Sequence, residues 1–76
     1  MQNYEERLME IGLNIARYRK KRGLRQQDLA DKIFISREQL SRIESPKNNS
    51  STTITTLLTI SDVLEIDIKQ LFDFEN

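Results

Sequence analysis

Apolar residues recur at helical spacing along nearly the whole chain, and polar punctuation divides them into five segments. Leu8, Ile11, Ile15 and Tyr18 fall three or four apart, which predicts a first helix from about Tyr4 to Arg22 with that stripe in the core and Gly23 stopping it in a left-handed cap. Met9, Leu13 and Ala16 make a second, weaker stripe, open either to a partner or to packing by the N-terminal arm or the last helix. Leu29, Ala30 and Ile33 repeat over a short second helix from Gln26 to Ile33, and the small Ala30 lets a neighbouring helix cross closely. Ser36 and Gln39 form a capping box that opens a third helix over about 36–45. There Leu40 and Ile43 turn inward, and Arg37, Glu38, Ser41 and Arg42 are left facing outward. Pro46 ends this helix, and a polar loop with Lys47, Asn48, Asn49 and Ser50 follows. Thr53 caps a fourth helix to about Leu64, with Ile54, Leu57, Leu58, Ser61 and Leu64 expected to be buried. Asp67 and Gln70 make a second capping box at the start of a short last helix. The fold class that follows is all-α, a compact five-helix bundle forming a single domain over residues 1–76.

Composition narrows the function. A chain of 76 residues has a modest core, and with no cysteine and no histidine it offers no disulfide, thiolate metal site or imidazole base. There is no glycine-rich phosphate loop, and the carboxylates are scattered without a paired base and nucleophile, so an enzyme is the weakest reading. No cofactor, metal or small-molecule ligand is expected. No apolar run approaches the roughly 18 residues of a membrane span, and the opening MQNYEERLME lacks the layout of a signal peptide, which predicts a cytoplasmic protein without membrane contact. The formal charge is zero but unevenly spread: residues 1–23 hold six basic and three acidic groups, residues 46–76 two basic and five acidic. Arg17, Arg19, Lys20, Lys21 and Arg22 crowd the end of the first helix. If that end lies beside Arg37, one face is cationic. Otherwise these cations are solvated and complement the helix dipole.

The second and third helices are joined by so few residues that they must turn sharply, and the third opens on a charged, capped end. A forked guanidinium on an exposed helix face suits guanine O6 and N7 in the major groove of DNA, which is just wide enough for a helix. In this stretch Leu24, Gln26, Leu29, Ala30, Ile35, Ser36, Ser41, Ile43 and Glu44 resemble the signature of the Cro and phage-repressor type of helix-turn-helix protein, the XRE family. Ile11, Gly12, Ile15, Tyr18, Arg19 and Gly23 upstream, and Ile54 to Leu58, Leu64, Leu71 and Phe72 downstream, extend the resemblance over nearly the whole chain.

The resemblance implies a lambda-repressor-like domain that binds double-stranded DNA. By position and side-chain chemistry Arg37, Glu38, Ser41 and Arg42 would meet base edges, with Glu38 either accepting from cytosine or orienting Arg42. Gln26 at the amino end of helix 2 would bond a phosphate, helped by the helix N–H groups, and Ser36 likewise. Lys20, Lys47 and Asn48 read either as phosphate contacts or as solvated surface. The resemblance also implies an ion pair between Arg19 and Glu44 that ties helix 1 to the end of helix 3. Ile60, Val63, Ile66, Ile68, Leu71, Phe72 and Phe74 are more apolar groups than so short a region is expected to bury. The family's dimers point to Ile66, Ile68, Phe72 and Phe74 as a homodimer interface, placing two recognition helices about 34 Å apart on a pseudo-palindromic operator. The other possibility is that Leu71 and Phe72 fold back on helix 1 in a monomer.

Three positions depart from the family pattern. Phe34 stands where the turn usually carries a glycine with positive φ, so the turn either takes a strained residue or another geometry. Arg25 replaces the usual threonine cap of helix 2 and adds a candidate phosphate contact. Ser45 and Pro46 replace the usual residues after the glutamate. The function expected is a small bacterial or phage transcriptional regulator, Cro-like or repressor-like, acting by operator occupancy. The alternative is a protein-binding adaptor or antitoxin-type module whose DNA binding is secondary or lost.

Overall fold

The structure is a computed structural model, and it describes residues 4–47 and 52–74. In chain order these form α1 (Tyr4–Lys21), α2 (Gln26–Lys32), α3 (Arg37–Glu44), α4 (Ile54–Leu64) and a 3-10 helix (Ile68–Phe72). The fold is all-helical but has four α-helices where five were expected. The last segment is only five residues long and closes on an i→i+3 bond, Gln70 N–H to the Asp67 carbonyl at 2.9 Å, the pattern short helical runs adopt. Asn48 lies outside the described residues.

Local chemistry sets the boundaries. Gly23 ends α1 with φ 72°, a conformation that costs glycine nothing. The Asp28 carboxylate accepts from the Arg25 backbone N–H at 2.8 Å, and the Arg25 guanidinium closes on both its oxygens, Nε at 3.1 Å and Nη2 at 3.0 Å. This pair opens α2 in place of a hydroxyl cap. Ser36 Oγ accepts from Gln39 N–H at 3.0 Å, and Gln39 Oε1 accepts from Ser36 N–H at 3.0 Å, which opens α3. Thr53 Oγ1 caps α4 by accepting from Thr56 N–H. Phe34 adopts the left-handed conformation, φ 62°, at a cost of about 1 kcal/mol for a side chain of this kind.

The core is built from Ile15 of α1, Leu29 and Ala30 of α2, Leu40 of α3, Ile60 and Leu64 of α4, and Leu71, all fully buried. The face of α4 differs from expectation: Ile54 is 59% and Leu58 45% exposed, while Leu57, Ile60, Ser61 and Leu64 point inward. Two stripes of helical spacing overlap on this helix, and the buried one is the stripe that includes Ile60. Ile60 and Leu71, assigned above to the surplus of apolar groups, are core residues.

Two close contacts help to hold α1 to the rest. Gly12 lies against the end of α3 so closely that an added methyl would stand 2.7 Å from the Ile43 carbonyl oxygen and closer still to that of Glu44. Buried Asn14 donates Nδ2 to the Leu71 carbonyl at 2.9 Å, fastening the 3-10 helix, and its Oδ1 accepts from Arg17 at 3.0 Å.

Gly12→Ala should therefore lower stability by about 1–3 kcal/mol through overpacking, read as a fall in Tm of roughly 4 °C or more. The guanidinium and backbone N–H of Arg25 pull Asp28 down to about 2. Because the folded value lies below the unfolded one, the stabilisation from this carboxylate is present above the usual carboxylate range and is lost as pH falls toward 2. An NMR titration should find Asp28 ionised at pH 3, and Arg25→Ala should return it toward an ordinary aspartate value.

Candidate nucleic-acid interface

α2, the turn at Phe34 and α3 form one unit. Leu29 and Ala30 face Leu40 through the core, so the polar sides of both helices are turned outward. On α3, Arg37, Glu38 and Arg42 are exposed and Ser41 is half-buried. The Arg37, Glu38 and Arg42 side chains have no hydrogen bond or ion pair with any described residue, and Glu38 does not pair with Arg42. Two guanidinium groups without a partner among the described residues thus stand about 7.5 Å apart along the axis of a surface helix whose other face is anchored by Leu40 and Ile43.

The carboxyl end of α3 is fixed by a polar cluster. Arg19 meets Glu44 through two bonds, Nε to Oε2 at 2.7 Å and Nη2 to Oε1 at 3.0 Å, and both side chains are almost fully buried. Arg19 Nη1 also donates to the Leu24 carbonyl at 2.8 Å, and Gln26 Nε2 donates to Glu44 Oε1 at 2.9 Å. Three helices therefore converge on one carboxylate. Gln26, read as a phosphate contact from sequence, has one amide hydrogen committed here and keeps the other.

The remaining candidate residues are spread around this unit. Ser36 holds the first turn of α3 while its hydroxyl hydrogen stays available to an acceptor. Arg25 is exposed and bound to Asp28. Lys20 is exposed at the end of α1, and Lys47 is exposed just beyond α3. The basic run of α1 does not lie together as one cationic face beside Arg37. Arg17 bonds Asn14, Arg19 is buried on Glu44, and Arg22 donates Nε to the Leu64 carbonyl at 2.8 Å while pairing with Glu65 at 3.4 Å, so it closes the carboxyl end of α4. Lys21 sits over the Tyr18 ring. Because α3 rises about 1.5 Å per residue, Arg37 lies roughly 10 Å from the end of α3 that Arg19 holds.

Ile66 and Ile68 are half-buried against the core, Phe74 is half-buried at the end of the described chain, and Phe72 is 38% exposed. This region packs on α1 and α4, away from Arg37. Sequence reasoning missed Asn14 and Arg22 as structural determinants, and it named Gly12 only as part of the family resemblance. A glycine inside a helical pattern and the polar Asn14 among apolar neighbours were the local signals. Among the described residues no helix is long and apolar enough to cross a membrane, and no cluster of three or more potential metal ligands occurs.

Comparison with known proteins places this arrangement. No curated protein sequence matches the chain. Among solved structures, the biofilm master regulator SinR in complex with DNA superposes with a TM-score of 0.74 at 33% identity, covering 83% of this chain and 98% of that one. The N-terminal DNA-binding domain of SinR from Bacillus subtilis gives a TM-score of 0.77 at 31% identity over 90% of this chain and 97% of that one. The restriction-modification controller protein C.AhdI from Aeromonas hydrophila gives 0.75 at 26% identity over 86% and 96%. The helix-turn-helix family model HTH_3 matches residues 15–71, from the core of α1 through the 3-10 helix. With that span and those likenesses, the chain belongs to the HTH_3 helix-turn-helix family, the XRE type of DNA-binding transcription regulator.

Proposed function

We propose that this chain reads a specific double-stranded DNA sequence by laying α3 in the major groove, and regulates transcription by occupying that site. The observation that carries this reading is that Arg37 and Arg42 are exposed, with no partner among the described residues, on a helix fixed at its carboxyl end by Glu44. Arg37 and Arg42 read base edges, most simply guanine, with Glu38 and Ser41 as their polar neighbours. Phosphates are met by the second amide hydrogen of Gln26, the Ser36 hydroxyl, Lys20 and Lys47, and by Arg25 through the donors that Asp28 leaves over. The similar protein SinR has been solved in complex with DNA, which supports DNA as the ligand.

The operator is pseudo-palindromic in this reading, bound by a homodimer joined through Ile66, Ile68, Phe72 and Phe74. A single recognition helix reads too few base pairs for useful specificity, and a two-fold pair spans two major-groove turns about 34 Å apart. An adaptor that had lost DNA binding would have no use for two unpaired arginines on the recognition face.

Two substitutions separate the roles. On a duplex selected by the protein from a random pool, Arg37→Ala should cost about 1–3 kcal/mol and relax preference at one position per half-site. Lys20→Ala should weaken all sequences alike and lower the salt slope by about 1. Identical behaviour of the two variants in a binding titration across salt contradicts the assignment.

A further inference from the structure

Phe34 brings a cost that nothing inside the fold offsets. Its φ of 62° lies in the left-handed region, where a side chain crowds the following carbonyl. Its ring is 93% exposed, more than any other large apolar side chain, so burial returns nothing. The backbone bonds of the turn, Phe34 N–H to the Asp31 carbonyl at 3.4 Å and Ile35 N–H to the Ala30 carbonyl at 3.0 Å, form equally well with glycine. Tyr4, the next most exposed aromatic, lies 5.2 Å under the Arg7 guanidinium, whereas Phe34 has no ring partner among the described residues.

Placement supplies what the interior does not. Ile35 turns into the core and Ser36 caps α3, so Phe34 stands outside, three residues before the unpaired Arg37. Three residues span at most about 11 Å, less than the roughly 12 Å width of the major groove. A helix that enters the groove at Arg37 therefore carries the Phe34 ring to its edge. An aromatic ring there matches one feature of base edges, the 5-methyl group of thymine.

Resting on α3 as the recognition helix, we propose that Phe34 is a second sequence-reading residue, packing its ring on a thymine methyl at the edge of the half-site that Arg37 reads. The backbone strain is then offset in the complex, not in the free protein.

The test uses the full chain and a duplex it selects from a random pool, with each thymine replaced in turn by deoxyuridine, which removes only the methyl. Wild type should lose about fourfold in affinity at one thymine per half-site. Phe34→Gly should bind thymine and uracil alike there, and keep or raise Tm, which separates the effect from unfolding. Arg37→Ala should still sense that methyl while losing preference at its own position. If Phe34→Gly matches wild type on every uracil duplex while Arg37→Ala relaxes one position, the ring faces a protein partner and this proposal falls alone. If Arg37→Ala relaxes no position, the recognition-helix reading fails first and the proposal falls with it.

Discussion

The two-bond contact between Arg19 and Glu44 is the constraint on which the recognition unit depends. It joins the end of α1 to the end of α3, and through the Leu24 carbonyl and the Gln26 amide it also holds the entry to α2. Removing two charges from water is expensive, so such a pair fixes geometry more than it adds net stability. It pays that cost where it matters, at the carboxyl end of α3, with Gly12 pressed against the same turn. With one end of an eight-residue helix bolted and Leu40 buried beneath it, the orientation of the outward side chains follows.

Several cations of this neutral chain are engaged within the fold, Arg19 in its interior and the others at its surface. Arg17, Arg19 and Arg22 hold Asn14, Glu44 and the end of α4, and Arg25 is closed on Asp28. Among the described residues Arg37 and Arg42 on α3, and Lys20, Lys32 and Lys69 elsewhere, are exposed cations without a hydrogen bond or ion pair.

The parts of this architecture legible in the sequence are those set by neighbours along the chain. The boxes Ser36–Gln39 and Asp67–Gln70 need only residues three apart, and Gly23 needs only its own freedom at positive φ. The buried face of α4 was not legible, because Ile54–Leu58 and Leu57–Ile60 both satisfy helical spacing and packing partners decide between them. The last helix was recognised by its cap but not by its type, since length decides between α and 3-10. At the site, the exposure of Arg37 and Arg42 followed from helical period. The ties of Gln26 to Glu44 and of Arg22 to Leu64 span 18 and 42 residues, and a basic or amide side chain reads the same in sequence whether it meets water, phosphate or a carbonyl.

A double-mutant cycle on Arg19 and Glu44 tests the account most directly. Urea denaturation of Arg19→Met, Glu44→Leu and the double variant should show each single change costing about 3 kcal/mol or more, because each strands a buried charge, and the double variant recovering a large part of the loss. Single changes that are nearly neutral, or that simply add in the double variant, would contradict the claim that this pair sets the recognition helix in place.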